Sequence, residues 1–306
     1  MAGFGGALFG LGAAGAFGLS DVGGAVASRR VGSAMTTAVV VPGSAAMITA
    51  LFVFSGAHLP PDLHAFLLCA LGGVCGSFTY FAAYAALRAG PITIVIPVMF
   101  AYGGLTAVLS VLFLGESPTL VNMVAVVVAT TGVVLAGVAS GGGRRIRLAG
   151  RGVGYALVVV VAAGAATIVG TLAVRESGWL PALTFARLTN ATIVVSVLLA
   201  LSAWRRARPA STSDGAAPVG WSSTLRAAGG RVIGLLIAIA ALETVAVSVL
   251  FAGFEVGPTW LVALTSSFAP AVGLVAGVTV FHERPRRLQW SGIALVLGGA
   301  VLLAIR

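Results

Sequence analysis

Long apolar runs recur along the whole chain and limit it to a membrane-embedded fold. The sequence has 306 residues, of which only 8% are charged, whereas a soluble globular protein has about 25% charged residues. A helix needs roughly 20 apolar residues to cross a bilayer, and its backbone must satisfy its own hydrogen bonds there. The sequence therefore predicts an all-α polytopic membrane protein. We expect ten membrane-spanning helices, at residues 4–26, 33–55, 64–87, 91–113, 119–139, 152–173, 180–203, 232–253, 259–280 and 288–305.

The segment at residues 90–132 is repeated at residues 257–299, with a constant offset of 167 positions. Apolar residues match easily by chance, but a Gly-Pro pair, a glutamate and a proline coincide here as well. We interpret the pattern as an internal duplication of a membrane-spanning unit. Its markers are Gly90, Pro91, Glu116 and Pro118 in the first copy, and Gly257, Pro258, Glu283 and Pro285 in the second.

The arginines indicate how the predicted spans are oriented. Fifteen arginines fall in the odd-numbered loops, whereas the even-numbered loops and the termini together hold only Arg175 and Arg306. Since cytoplasmic loops carry an excess of basic residues, the odd-numbered loops are predicted to be cytoplasmic and both termini to lie outside. We attribute the net charge of +10 to this orientation rather than to nucleic-acid binding.

Each half of the chain then contains five predicted spans, and an odd number inverts the second half relative to the first. Inverted repeats are typical of secondary transporters, which bind their substrate near the midplane, where the halves meet. We expect a first five-helix repeat at residues 1–140, a cytoplasmic linker at 141–151 and a second repeat at 152–306. The cytoplasmic loop at residues 204–231, rich in Arg, Ser, Ala, Gly and Pro, is predicted to be a second flexible linker.

Each half also ends in the pattern E-x-P-x(3)-[NQ]-x(9)-G, which uses Asn122 and Gly132 in the first copy and Gln289 and Gly299 in the second. This pattern resembles the drug/metabolite transporter superfamily, and specifically its EamA-type members. The resemblance covers essentially the whole chain. It implies ten helices around a central cavity, a bacterial plasma membrane location, and transport of a small metabolite, often export. It also implies an arginine in the helix that holds Arg187.

Three ionisable residues fall inside predicted spans, where charges are costly and indicate function. Glu243, near the middle of span eight, either binds a proton or a cationic group in a cavity or is a protonated side chain bonded between helices. Arg187 either holds a substrate carboxylate with its planar guanidinium or pairs with Glu243 or Glu176. Asp21 is either a second proton-coupling candidate or the partner of an arginine in the first loop.

Hydroxyl and aromatic side chains follow one face of span three and the aligned face of span eight. The spacing of Ser77, Tyr80 and Tyr84 places them on one side of a helix. Such side chains suit a small amphipathic ligand, and the alternative is hydrogen bonding and packing between helices. The predicted substrate-binding residues are Ser77, Tyr80, Tyr84, Tyr102, Arg187, Glu243, Thr244, Ser248 and Ser267.

We interpret the markers of the duplication as structural. Glu116 and Glu283 precede spans five and ten, where a carboxylate suits the positive N-terminus of a helix. Pro118 and Pro285 fit a first helical turn. The two Gly-Pro pairs end helices, either as plain turns or as hinges.

No cofactor and no metal site are expected. His58, Asp62 and His64 share the second loop, but their spacing does not by itself bring them together as metal ligands. The sequence contains no nucleotide-binding or hydrolase motif, so we predict neither ATP-driven transport nor enzyme activity. The expected partners are a small-molecule substrate, the lipid bilayer and protons, in a monomer or homodimer.

The favoured function is a secondary transporter that moves a small, amino-acid-like or similar amphipathic metabolite by alternating access, with export as the expected direction. The substrate would lie between spans three, four, eight and nine. One alternative is proton-coupled efflux of lipophilic cations, with Glu243 or Asp21 as the counter-charge. The other is a membrane scaffold or an intramembrane enzyme, and a closed interior with Glu243 facing lipid would favour the scaffold.

Overall fold

A computed structural model of the chain describes residues 2–90, 92–138, 150–207 and 221–272, together with 275, 290–292, 294–295 and 298–299. Regular structure within these residues is α-helical, as the apolar runs predict. The helices are α1 (Ala2–Val31), α2 (Ser33–Ser55), α3 (Leu63–Ala89), α4 (Ile92–Phe100), α5 (Tyr102–Leu114), α6 (Leu120–Val138), α7 (Arg151–Ser177), α8 (Trp179–Ala207), α9 (Trp221–Val256) and α10 (Thr259–Ser266).

Seven helical stretches within the described residues are long and apolar enough to cross a membrane. They are Phe4–Val31, Ser33–Ser55, Leu63–Ala89, Val95–Leu114, Arg151–Ser177, Trp179–Trp204 and Gly229–Val256. Two shorter apolar helices, Leu120–Gly132 and Thr259–Val272, lie at predicted spans five and nine. Most of the tenth predicted span, residues 288–305, lies outside the described residues. The chain is a multi-pass helical membrane protein, and the count of ten spans stays a prediction.

Predicted span four is broken in the middle, which corrects the expectation of one continuous helix. The break lies at Ala101, between α4 and α5. There the amide of Ala101 donates to the carbonyl of Val98 at 3.2 Å, and the amide of Gly104 donates to the carbonyl of Ala101 at 3.1 Å. These bonds span three residues instead of four, as in a tight 3₁₀ turn. The Gly103-Gly104 pair weakens the preference for helix at this point.

Predicted span nine is broken at the equivalent position. The amide of Phe268 donates to the carbonyl of Thr265 at 3.2 Å, and the amide of Ala271 donates to the carbonyl of Phe268 at 2.9 Å. The offset of 167 positions maps the bonds of the first break onto these two bonds. Pro270 has no backbone N–H and its ring disfavours a continuous helix before it. The duplicated sequence therefore carries a duplicated helix break.

The predicted linker at residues 204–231 is helical at both ends, which corrects the expectation of a flexible segment there. Helix α8 continues to Ala207 and α9 begins at Trp221. Inside α9, Gly229 has φ 75° and ψ 164°, a backbone conformation that glycine adopts without steric cost. Gly229 therefore separates a short helix from the span that follows it. Residues 208–220 lie outside the described residues.

The most extensive contacts between helices join the two halves of the chain. Helix α3 packs along α7, and α1 packs along α9. By their order within each half, α1 corresponds to α7 and α3 corresponds to α9. The contact of α3 with α7 in one half-to-half direction is therefore equivalent to the contact of α9 with α1 in the other. The contacts of α3 with α8 and of α2 with α9 form another such pair. The boundaries at 1–140, 141–151 and 152–306 stay a prediction, because residues 139–149 lie outside the described residues.

Among the described residues, the odd-numbered loops lie at one end of the helix bundle and the even-numbered loops lie at the other. At one end, Nδ1 of His64 lies 3.0 Å from Oε2 of Glu176, at the junction of α3 and α7. At the other end, Arg29 donates to the carbonyl of Gly90 at 3.1 Å. A Cβ on Gly152 would lie only 2.9 Å from the Cα of Gly90, so α3 and α7 meet backbone to backbone there. We name these the outer end and the inner end after the predicted orientation.

Candidate functional site

Helices α3 and α8 approach closely because α3 carries glycines where they meet. A Cβ on Gly73 would lie 2.4 Å from the carbonyl oxygen of Ala186, and a Cβ on Gly76 would lie 2.9 Å from Nδ2 of Asn190. Small residues let helix backbones approach one another inside a membrane. Because Gly73 and Gly76 have no side chains, α3 leaves room there for the polar side chains of α8, among them Arg187 and Asn190.

A cavity opens between the halves, lined by residues of α1, α3, α4, α5, α7, α8 and α9. The space open to the centre of a water molecule measures about 170 Å³. Most of the wall is apolar or aromatic, with Phe17, Met99, Phe100, Val159 and Phe254 among its residues. None of the described lining residues belongs to α10, so the described part of predicted span nine does not form the wall as expected.

Helices α3 and α9 contribute aligned residues to the cavity wall. The offset of 167 positions pairs Gly76 with Glu243, Tyr80 with Val247, Ala83 with Leu250 and Tyr84 with Phe251, and all eight residues line the cavity. Equivalent faces of the two halves therefore meet around the same space. The pair Gly76 and Glu243 differs most in chemistry, since the second half carries a carboxylate where the first has only a hydrogen.

A buried ionic cluster lies on this wall. Nη2 of Arg187 lies 3.3 Å from Oε1 of Glu243, and both side chains are only 5% exposed. The hydroxyl of Tyr80 also donates to Oε1 of Glu243, and the hydroxyl of Ser20 donates to Oε2 at 3.2 Å. The guanidinium of Arg187 lies 4.8 Å from the centre of the Tyr80 ring, as in a cation–π contact. Three donors from three helices thus hold Glu243 in place.

Several polar groups at the cavity have no partner among the described residues. Nη1 of Arg187 and Oδ1 of Asn190 are buried without a hydrogen bond. Asp21 lines the same cavity, and its carboxylate makes no hydrogen bond or ion pair within the described part of the chain. Because unpaired buried polar groups are costly, such groups at a cavity are suited to bind a polar ligand.

Six of the predicted site residues lie on the cavity wall: Asp21, Tyr80, Tyr84, Tyr102, Arg187 and Glu243. Of the alternatives left open for Arg187, the structure shows the ion pair with Glu243, while Nη1 has no hydrogen-bond partner in the described part of the chain. Of the two alternatives for Asp21, the pairing with Arg29 or Arg30 does not occur among the described residues.

The structure places Ser77, Thr244, Ser248 and Ser267 away from the cavity lining. Three of them donate to a carbonyl one turn earlier in their own helix: Ser77 to Gly73 at 2.8 Å, Thr244 to Ala240 at 2.7 Å and Ser267 to Ala263 at 2.9 Å. Such bonds satisfy a hydroxyl inside a helix without a ligand. The aligned pair of Ser77 and Thr244 therefore lies in helix packing.

Sequence reasoning missed Ser20 and Asn190 as members of this site. Ser20 precedes Asp21 directly, and Asn190 lies one turn after Arg187, which were the signals that could have found them. A small polar residue beside a charged one inside an apolar run is costly to bury unless both serve one polar cluster.

Glu116 caps a helix other than the one expected. The N-terminus of α6 is capped by Thr119, whose Oγ1 accepts from the amide of Asn122 at 3.3 Å. Glu116 instead accepts from two amides in the first turn of α10 and pairs with Arg175. Pro118 precedes α6, and Pro258 is the N-cap residue of α10. Pro91, Glu283 and Pro285 lie outside the described residues.

Asp62, His64 and Glu176 gather at the outer end, with one possible metal-binding atom of each within 4.8 Å of the others. Each of the three has a partner in the protein. Asp62 accepts from the amide of Ala65 as the N-cap of α3, at 2.8 Å, and His64 pairs with Glu176. The cluster is exposed, and these contacts account for it without an ion. His58 does not belong to it.

Comparisons with known proteins agree with this architecture. A crystal structure of a protein that is 18% identical in sequence superposes with a TM-score of 0.68, over 97% of this chain and 95% of the other, which shows a shared fold. No curated protein matches the chain. The sequence model of the EamA-like transporter family matches twice, at residues 4–138 and 150–305. The chain therefore belongs to the EamA-like transporter family, within the drug/metabolite transporter superfamily, as its repeated motif predicts.

Proposed function

We propose that this protein is a secondary carrier that moves a small amphipathic metabolite, such as an amino-acid-like solute, by alternating access. We further propose that it works as an exporter in a bacterial plasma membrane, with protons as the coupling ion. The observation that supports this best is the cavity at the contact between the halves. It combines aromatic walls with buried charges of both signs.

The chemistry of the wall suits a solute with two different ends. Within the described residues, Nη1 of Arg187 is free to donate to a carboxylate, and Oδ1 of Asn190 is free to accept from an N–H or O–H group of the solute. The carboxylate of Asp21, which has no protein partner in the described part of the chain, is free to bind an ammonium group. Tyr84 and Phe251 offer aromatic faces to the apolar part. A solute of this kind satisfies groups that otherwise stay unpaired.

The helix contacts support alternating access. The contact pairs α3 with α7 and α1 with α9 exchange between the halves, as inverted repeats require. Both helix breaks also fall at equivalent positions, and discontinuous helices near the midplane are a common feature of such carriers.

Of the two proton-coupling candidates, Asp21 fits the role better than Glu243. The oxygens of the Glu243 carboxylate already accept hydrogen bonds from Tyr80, Ser20 and Arg187. Asp21 lines the cavity without such donors in the described part of the chain. We therefore assign the exchangeable proton to Asp21.

Uptake of labelled amino acids into proteoliposomes tests the proposed function. We expect Tyr84→Ala to lower the rate for the transported solute by about tenfold or more, because it removes a wall contact worth on the order of 1.4 kcal/mol. We expect Glu243→Gln to lower the rate similarly, because it removes the ion pair that holds Arg187 in position. The matched controls are Tyr155→Ala and Glu255→Gln, which change exposed residues away from the cavity. Unchanged flux in both cavity variants contradicts the assigned site.

Efflux of lipophilic cations is the second candidate, because Arg187 is neutralised by Glu243 while Asp21 is not neutralised within the described residues. Growth in a toxic quaternary ammonium compound, with and without the protein, decides between the candidates. A cation carrier protects the cells, and Asp21→Asn abolishes the protection. A scaffold has less support, because Glu243 lines a cavity and does not face lipid.

A further inference from the structure

At the outer end, the carboxylate of Glu116 bonds to three groups that belong to the second half of the chain. Its Oε1 accepts from the amide of Thr259 at 2.9 Å, and its Oε2 accepts from the amide of Trp260 at 3.1 Å. Nη2 of Arg175, at the end of α7, lies 3.1 Å from Oε1. The Glu116 side chain is 11% exposed, so water competes weakly for these bonds.

Each of these contacts is strong for a physical reason. The two amides belong to the first turn of α10, which has no intrahelical acceptors for them. A carboxylate there is favoured by the positive end of the helix dipole, and hydrogen bonds to a charged group are about twice as strong as neutral ones. Glu116 itself belongs to the loop between α5 and α6, in the first half.

The same helix connects Glu116 with the cavity. α10 has eight residues, and its last residue, Ser266, lies 2.7 Å, hydroxyl to hydroxyl, from Tyr102. Tyr102 lines the cavity. Displacement of α10 is therefore coupled to both the Glu116 contacts and the cavity wall.

We propose that Glu116 is an outer latch, which holds the outer end of the bundle closed by bonding the first half to α10 and α7 of the second. The inference rests on the proposed alternating access. Opening toward the outside moves the halves apart, and it must break all three contacts at once. Glu255 offers a contrast, because it accepts from the amide of Trp179 at 3.3 Å within the second half alone.

Access of a thiol reagent to the cavity tests the latch. Cys69 and Cys75 are replaced by alanine, and Thr167→Cys, a nearly isosteric change on the cavity wall, carries the label. A membrane-impermeant maleimide is added on the side at which a cysteine at the exposed Leu59 of the outer loop reacts. The measured quantity is the rate of labelling at Thr167→Cys, and thermal unfolding of each variant is followed in parallel.

Glu116→Ala is expected to raise the labelling rate on the order of tenfold, because it removes several charge-assisted bonds that hold the closed state. Arg175→Ala, which keeps both amide bonds, gives a smaller rise, and Glu255→Ala gives none. The exchange Glu116→Arg with Arg175→Glu does not restore slow labelling, since an arginine cannot accept from the α10 amides.

A labelling rate in Glu116→Ala that equals the rate in Glu255→Ala overturns the latch. If Glu116→Ala does not fold, Glu116→Asp and Arg175→Ala take its place, and unchanged rates in both overturn the latch as well. The readout needs no transported solute. Absence of flux with every solute therefore counts against the proposed function, while a faster labelling rate still supports the latch.

Discussion

At the scale of single residues, the two halves place different side chains at one aligned position of the cavity wall. Glu243 in α9 aligns with Gly76 in α3, and both line the cavity. The space beside Gly76 is filled by Asn190, whose Nδ2 lies 2.9 Å from the position that a Cβ would take. The second half thus supplies an anion where the first half supplies room for a polar side chain. The aligned faces of α3 and α9 therefore differ in charge at this position.

The buried pair of Arg187 and Glu243 leads to a stability prediction. Glu243→Gln leaves the guanidinium buried without its counter-charge, and we expect a loss of about 3–5 kcal/mol in the free energy of unfolding. Combining Glu243→Gln with Arg187→Met removes both charges and is expected to recover most of that loss. Unfolding of the purified protein in detergent measures both values.

The exposed Glu255→Gln serves as the control and should change the unfolding free energy by less than about 0.5 kcal/mol. A double variant that is as unstable as Glu243→Gln alone would show that the loss does not arise from the unpaired arginine. Flux measured in a stable double variant also separates loss of the site from loss of the fold.

The charged residues of the site could be predicted, but most of their partners could not. Glu243, Arg187 and Asp21 stand out because a charge inside an apolar run is costly. Whether Arg187 pairs with Glu243 or with Glu176 depends on the rotation and depth of two helices, which the pattern within each helix does not specify. Serine and threonine are poor indicators of a cavity because a hydroxyl can bond its own helix, as Ser77 does.

At the scale of helices, α5 and α10 cross next to the two helix breaks, and this crossing borders the cavity wall. The hydroxyl of Ser267 and the carbonyl of Ala263 lie where a side chain on Gly103 would go, 1.9 Å and 2.8 Å from its ideal Cβ. Glycine is therefore required at this position for α5 and α10 to cross at this distance. The crossing brings Tyr102 to Ser266 and to the cavity wall.

Gly103→Ala tests this crossing. We expect it to lower the free energy of unfolding by about 1–3 kcal/mol, since the added methyl group overlaps a carbonyl and a hydroxyl. Gly154→Ala is the matched control, because nothing lies within 4 Å of the equivalent methyl group in α7. There the greater helix preference of alanine should stabilise the protein by up to about 1 kcal/mol. Equal melting temperatures for the two variants contradict the assigned close approach.

The positions of the helices were predictable, whereas their interruptions were not. Apolar runs locate nine of the predicted spans at helices that the structure describes. A run of apolar residues says nothing about a tight turn within it, and Pro97 and Pro270 are tolerated in membrane helices without always breaking them. The cap formed by Glu116 on α10 was missed because a carboxylate next to one helix in sequence can bond another in space.

At the scale of the whole molecule, the arrangement separates two loop sets at opposite ends. Contacts of Arg175 with Glu116 and of His64 with Glu176 lie at the outer end, and the contact of Arg29 with Gly90 lies at the inner end. The sequence predicts this separation from its arginines. It does not specify how tightly each end closes, because closure depends on contacts such as Gly90 with Gly152.

Labelling of single cysteines tests the predicted orientation. In intact cells, with Cys69 and Cys75 replaced, Leu59→Cys is expected to react with an impermeant maleimide and Arg88→Cys is expected to react only after the membrane is opened. Both positions are exposed in loops or at a helix end, so a difference in reactivity reports the side of the membrane. The reverse pattern would place both termini in the cytoplasm.

The mismatch of Gly76 and Glu243 has a kinetic consequence. If the two halves were chemically identical, a two-fold rotation would relate the states that face the two compartments, and the carrier would saturate at the same solute concentration from both sides. Because only the second half carries a carboxylate at this aligned position, the two states solvate the charge of Glu243 differently. Half-saturation should then differ between the faces, even though net movement still follows the driving gradient.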